Sequence, residues 1–315
     1  MGAPTNTYLT TAGGSAGIGN REDLSDVIYR ISPTQTPLLN LASKSKATNT
    51  LHEWQTQDLA AYSVANAQAE GDDATAKTVT VPVRLSNRTQ ISTKTVIVSG
   101  TQQNMNPAGR KDELAYQVSL AALELKRDME SSATQLDVTA TSPRQSRGLL
   151  GWCYDNSSNG GGAYVAANYL PSVNTGQTNG TTRAFTEAQV KSVLQLIYTQ
   201  GGEPDVIMLP PAMKQTFSSF TGNSTRMDKS EDAKLYSAID VYVSDFGEIK
   251  TVANRFQRTR DVFILQSDKW AISYLRPFQT TELAKTGDSE KRMLLAEWTL
   301  EARAPKANGA IFDLA

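Results

Sequence analysis

The run NPAGRKDELAYQVSLAALELKRDMESSATQL, Asn106 to Leu136, is the longest stretch of the chain that a single periodicity describes. Asn106 suits a helix N-cap and Pro107 the first turn, where a missing N–H costs nothing. Asp112 and Glu113 fall in the early turns, where the helix dipole favours acids. Leu114, Val118, Ala121, Leu125 and Met129 recur at steps of three and four and form one apolar stripe, with Leu136 further on. About thirty residues at ~1.5 Å each predict a helix of roughly 45 Å, longer than a compact domain needs.

Upstream, the character changes to strand between Thr50 and Gly100. KTVTVPVRL alternates, with Val79, Val81, Val83 and Leu85 on one side and Thr78, Thr80, Pro82 and Arg84 on the other. STKTVIVSG comes next, and LHEWQTQDL is a plausible partner across a polar tip around Glu70 to Ala76. Pro82 cannot donate to a ladder, so its position should face an edge. A free two-stranded excursion of this kind is only marginally stable in water, so a neighbouring surface must hold it. Further upstream, EDLSDVIYRI places Leu24, Val27, Ile28 and Ile31 on one face of a short helix, and Pro33 and Pro37 keep that helix from running on.

Downstream, TSPRQSRGLLGWCYDNSSNGGG marks a boundary rich in Gly, Ser and Asn. FTEAQVKSVLQLIYTQGG reads as a capped amphipathic helix: Thr186 caps it, Val190, Val193, Leu194 and Ile197 pack, and Gly201 ends it. A buried strand over Asp205–Leu209, a helix opened by Pro211, and a hairpin turning near Phe246-Gly247 come after it. This order suggests a small α/β layer domain. DVFILQSDKWAISYLRPF reads as strand, turn, strand. After a turn at Thr286-Gly287-Asp288 comes a long strand, with Leu294, Ala296, Trp298 and Leu300 on one face. Glu297, Thr299, Glu301 and Arg303 line the other.

The bulk numbers narrow the function. With 31 Lys+Arg against 32 Asp+Glu, a dedicated nucleic-acid or anionic-membrane surface is disfavoured. No apolar run approaches the ~20 residues of a membrane span. His52 and Cys153 are the single His and the single Cys, which excludes an internal disulfide and a His/Cys zinc site within one chain. HEWQT at His52 stops short of a zincin motif, and DFG at Asp245–Gly247 has no His-Arg-Asp loop to accompany it. The cluster Glu70, Asp72 and Asp73 reads as a solvated loop tip. TAGGSAGIGN at residues 11–20 matches dinucleotide spacing through Gly13, Gly17 and Gly19, but no strand precedes it and no Tyr-x-x-x-Lys pair accompanies it. It reads as part of a Gly-rich arm, so no catalytic residue, cofactor or metal is expected.

The succession of arm, strand excursion, very long helix, α/β region and returning strands resembles the major capsid proteins of tailed bacteriophages, whose fold is named after phage Hong Kong 97. The likeness rests on REDLSDVIYRISPTQTPLL, DELAYQVSLAALELKRDMESS, SPRQSRGLLGW and SDKWAISYLRPFQTTELAKTGDSEKRMLLAEWTLEARAPKANG. It implies an α+β capsid fold: an N-terminal arm over 1–40, an E-loop hairpin with flanking strands over 41–103, and a spine helix of the peripheral domain over 104–140. An α/β axial domain over 141–261 and returning peripheral strands over 262–315 complete it. The implied function is self-assembly as hexamers and pentamers into an icosahedral head enclosing double-stranded DNA. The implied partners are further copies of the chain, a portal protein, a separate scaffolding protein, a cement or decoration protein, and packaged DNA touched only non-specifically. No membrane is involved; the place is the virion capsid, assembled in the host bacterial cytoplasm. Contacts between subunits are expected from Leu24, Val27 and Ile28 in the arm, from Glu70, Asp72, Asp73, Arg84 and Arg88 in the excursion, and from Glu282, Lys285, Asp288 and Arg292 near the symmetry axes. Lys77 and Lys94 do not match the Lys–Asn crosslinking pattern of some relatives, so no crosslink is expected. The arm starts almost at Met1, which favours a separate scaffolding protein over the cleaved helical segment of some relatives. The alternative within the same fold is an encapsulin compartment. Outside it stand an NAD-dependent oxidoreductase using Gly13, Gly17 and Gly19, and a phage tail or adhesin module.

Overall fold

The computed structural model of the chain describes residues 32–73, 76, 79–105, 112–162, 176–220 and 241–315. The first half contains α1 (Pro37–Leu41), β1 (Ser43–Lys46), β2 (Leu51–Thr56), β3 (Val83–Arg88), β4 (Gln90–Ser99), α2 (Gly100–Asn104) and α3 (Glu113–Gln135). A small hairpin, β5 (Ala140–Thr141) and β6 (Arg144–Gln145), leads to α4 (Leu149–Trp152) and β7 (Asn156–Ser158). Then come α5 (Glu187–Thr199), β8 (Val206–Leu209), α6 (Pro211–Ser218), β9 (Val241–Ser244) and β10 (Gly247–Ala253). The chain closes with β11 (Val262–Leu265), β12 (Trp270–Glu282), β13 (Ser289–Ala302) and β14 (Gly309–Ile311).

The long helix forms where its stripe predicts, with Leu114, Ala121, Leu125 and Met129 buried. Its start differs. Asp112 is the N-cap, its carboxylate accepting from Ala115 N, and Gln103 Nε2 donates to the same Asp112 carboxylate at 2.8 Å. Asn106 and Pro107 lie outside the described residues. The helix is therefore 23 residues, about 35 Å at ~1.5 Å per residue.

Two sheets organise the rest. The first has strand order β1-β12-β13-β4, with β1 parallel to β12 and the other pairs antiparallel. Its core joins Leu125 and Met129 of α3 to Trp270, Ala296, Trp298 and Leu300. The second has order β7-β14-β11-β8-β10-β9. One of its faces is covered by α5 and α6, through Val190, Val193, Ile197 and Phe217 against Ile207, Leu209 and Ile264. Alternate residues on the same strands, Met208, Phe263, Leu265 and Ala310, face the first core. Both faces of β8 and β11 are thus buried, which is why VIML and VFIL are unbroken apolar runs rather than alternating ones.

Helix α5 opens at the expected cap Thr186, which forms a capping box with Gln189, and Gly201 lies just past its end at φ 85°. The domain boundary expected at residue 261 cuts through the second sheet, because β11 and β14 sit in it beside β8 and β7. The strand excursion is corrected too. β2 pairs β3 antiparallel from Leu51–Arg88 to Thr56–Val83, and the described residues between Gln57 and Pro82 form no strand. The alternation at Val79, Val81 and Val83 therefore builds no ladder beyond Val83. Only Leu85 of that face is buried, where the body of the chain covers it.

Candidate assembly surfaces

Two limbs leave the sheets, and their geometry starts at the roots. At the root of the β2–β3 ribbon, Asn87 is fully buried and uses both ends of its amide. Nδ2 donates to Leu300 O at 2.7 Å, Arg147 O at 2.9 Å and Ser146 Oγ at 3.1 Å, while Oδ1 accepts from Arg147 N. Trp54 Nε1 donates to Ala302 O at 2.8 Å, and its ring lies 5.6 Å from that of Trp152. His52 meets Glu301 at 3.2 Å. Burial pushes the Glu301 carboxyl up, but donors from His52, Ser273, Arg303 and Ser45 outweigh it and bring the pKa down to about 2. Glu297 holds Arg144 at 2.5 Å, Arg276 at 2.8 Å and the Thr89 hydroxyl at 2.9 Å.

Sequence reasoning puts Glu297 and Glu301 on a plain polar face; the structure makes them buried hubs, 3% and 8% exposed. Their partners are residues of β1, β2, the β3–β4 junction, β6 and β12, so no local pattern announces them. Glu130, on α3, is a third hub. It accepts from Leu38 N at 2.8 Å, Leu39 N at 2.9 Å and Asn254 Nδ2 at 2.7 Å. Burial raises its pKa, and the three neutral donors only partly offset that.

Beyond its root the excursion is bare. Every described residue from Gln57 to Asp73 is exposed, and Leu59, Tyr62 and Val64 are each at least 93% exposed. Glu70, Asp72 and Asp73 surround a turn at Gly71, φ 85°, at its exposed tip. Arg84 reaches Glu53 across the ribbon at 3.7 Å, and Arg88 sits opposite Leu51. At the far end of the β12–β13 hairpin, Glu282 and Arg292 are ladder partners and Lys285 meets Glu290 at 3.3 Å. The Asp288 carbonyl accepts from Gly100 N at 3.1 Å, tying that tip to α2. Leu24, Val27 and Ile28 lie outside the described residues, as do Gly13, Gly17 and Gly19. Among the described residues no cluster of His, Cys, Asp or Glu could hold a metal ion, and no helix is long and apolar enough to cross a membrane.

A protein whose buried polar hubs anchor limbs, and whose most exposed apolar side chains crowd onto one limb, is built to assemble. Solved structures that share this fold include phage capsids. The cyanophage A-1(L) capsid subunit superposes with a TM-score of 0.64 at 15% identity, covering 94% of this chain and 97% of that one. The capsid of a native GTA particle gives 0.65 at 11% identity, covering 98% of this chain and 100% of that one. The fold class is therefore that of the tailed-phage capsid subunits, the Hong Kong 97-like class. The major capsid protein of Escherichia phage Phieco32 is 30% identical over 334 aligned positions, spanning 94% of this chain and 95% of its own length. The family model for the SU10 major capsid protein matches residues 4–315, and the chain belongs to that family. It is a structural protein of the virion, a subunit of the icosahedral capsid of a tailed phage, and the compartment and oxidoreductase alternatives give way to that reading.

Proposed function

We propose that the limbs divide the labour of assembly. Residues 1–40 act as an arm along a neighbouring subunit, and the excursion within 41–103 acts as an E-loop laid over the next copy. Helix α3, within 104–140, is the spine of a peripheral domain completed by β12 and β13, within 262–315. Residues 141–261 form most of an axial domain meeting its copies at the centres of hexamers and pentamers. The bare excursion carries this reading: Leu59, Tyr62 and Val64 stand in water on a limb whose root is fixed by buried hydrogen bonds. An exposed apolar cluster of this kind marks a protein–protein surface. Burial at ~25 cal/mol per Å², repeated over hundreds of copies in a closed shell, makes even modest contacts decisive. Glu70, Asp72 and Asp73 at the tip, and Lys285, Asp288 and Arg292 on the second hairpin, supply pairs between subunits worth ~0–1 kcal/mol each.

The chain works without catalysis. Its partners beyond itself are a portal protein, a separate scaffolding protein and a decoration protein, and it assembles in the host cytoplasm. A net charge of −1 suits a container that encloses DNA without gripping it. The test is electron microscopy of the expressed chain after size-exclusion chromatography with light scattering. Shells, or rings of five and six, are the expected result. A monodisperse small oligomer that stays soluble under assembly conditions overturns the proposal.

A further inference from the structure

The three hydrogen bonds at Glu130 are unusual in what they join. α1 is a helix of five residues whose own N-cap, Thr36, makes no side-chain cap and whose first residue, Pro37, has no N–H. Its first free N–H groups, on Leu38 and Leu39, are instead satisfied by a carboxylate some ninety positions away in the sequence, one on each oxygen. Orphan N–H groups of a first turn need an acceptor, and a negative one is favoured there by the helix dipole. Oxygen Oε1 is shared: it also accepts from Asn254, which lies just past β10 of the second sheet.

Asn254 is itself fixed. Its N–H donates to Leu209 O at 2.8 Å, so its place is set by the end of β8, and its Oδ1 accepts from Phe256 N at 2.9 Å. Phe256 O in turn accepts from Thr134 and Gln135 of α3, and Arg127 lies 5.6 Å from the centre of the Phe256 ring. Glu130 is 0% exposed, and no charged side chain contributes to its ionisation, which is set by burial against neutral donors. A carboxylate held this way is costly, and a carboxamide would not replace it. Three N–H donors converge on two oxygens, whereas Gln offers one acceptor oxygen and would turn an N–H toward another N–H.

We propose that Glu130 is a positioning residue that couples the second sheet to the N-terminal limb, by capping α1 from a distance in an orientation that Asn254 sets. α1 lies at the end of the residues read as the arm, so its lie sets the direction in which the arm leaves the body. That last step rests on the reading of residues 1–40 as an arm; the coupling itself does not.

The test is hydrogen exchange at the Leu38 and Leu39 amides, resolved by NMR or by overlapping peptides, in isolated full-length subunits. Glu130→Gln should speed exchange at these two amides about ten- to a hundredfold, the loss expected for bonds to a charged acceptor. Asn254→Ala should speed it several-fold although Asn254 bonds neither amide, and should add nothing in the Glu130→Gln background. Amides of α5 serve as the folding control and should not change. If Glu130→Gln fails to fold, Asn254→Ala alone decides. Unchanged exchange at Leu38 and Leu39 in Asn254→Ala, or an equal effect of that change in both backgrounds, overturns the coupling. Shells made from Asn254→Ala should dissociate at lower denaturant than wild type. Faster exchange with unaltered shells would uphold the coupling and sink the arm reading instead.

Discussion

The β12–β13 hairpin and the β2–β3 ribbon both carry the chain away from its core, yet one keeps its ladder to the tip and the other does not. β12 and β13 pair from Trp270–Ala302 out to Glu282–Arg292, through bulges near Arg276 and Gln279. β2 and β3 part after Thr56–Val83. The difference lies in what stands beside each. β13 is backed along its length by a third strand, from Ser289–Ser99 to Trp298–Gln90, and its turn closes with Gly287 at φ 93°. The ribbon has a partner only at its root, and residues 57–82 separate its strands. Two strands without a third, or without a covered face, hold poorly in water. One limb is a finished piece of the subunit, whereas the other carries its apolar side chains exposed.

The strongest test of that contrast strikes the finished limb. Trp298 is fully buried, and its Nε1 donates to Ser92 Oγ at 3.0 Å. Trp298→Ala should cost the isolated subunit about 3–5 kcal/mol, read by chemical denaturation, from lost burial and the cavity left behind. A loss below about 1 kcal/mol would mean that the hairpin is no part of the subunit's own core.

Acid separates the ribbon's root from the second sheet with opposite signs. Glu301 falls from an ordinary 4.5 to about 2, so it binds protons less readily folded than unfolded. The stability it confers is present above pH 4.5 and is lost as pH falls toward 2. Asp261 is fully buried, and burial raises its pKa from 3.8 to about 6 against the pull of Arg258 and Arg260, with Asp313 adding to the rise. Its folded form binds the proton more tightly, so its contribution grows as pH falls from about 6 to about 4 and is lost on the way back up. A roughly hundredfold change in proton affinity at either site corresponds to about 3 kcal/mol. Glu301→Gln should flatten the limb of the stability curve below pH 4.5, and Asp261→Asn the limb between pH 4 and 6. Curves that keep both limbs in the variants would show that neither carboxylate governs its region.

The same contrast explains which parts of the fold the sequence reveals. Local signals are legible where the chain supplies its own partners nearby. Thr186 announces the start of α5, Gly201 its end, and the alternation from Leu294 to Leu300 gives the core face of β13. Legibility fails where the partner is distant. The other face of β13 looks solvated because Glu297, Thr299 and Glu301 are polar, but the segments that cover it come from residues 45–52, 89 and 144. Alternation at Val79 to Val83 predicts a ladder because it records a strand-like pattern, and nothing in the pattern says whether a neighbouring strand exists. The start of α3 differs from the sequence reading because Asp112, read there as an early-turn acid, is itself the cap and is held by Gln103 from outside the helix. Glu130 draws no notice, since its partners at 38, 39 and 254 are brought together only by the fold.

The smallest expected effect on the subunit is the most telling one for the unfinished limb. Leu59, Tyr62 and Val64 stand almost wholly in water, so replacing all three with Ser should shift the unfolding free energy of the isolated subunit by no more than about 0.5 kcal/mol per site. Apolar surface already in water has no burial left to lose. The same triple variant should form shells far less readily than wild type, because the surface it removes is the one a neighbour would cover. A subunit destabilised by several kcal/mol would mean that the excursion folds back on its own body in solution. Normal shells from a normally stable variant would mean that these side chains stay in water even after assembly, and the weight of the contact would then move to the charges at Glu70, Asp72 and Asp73.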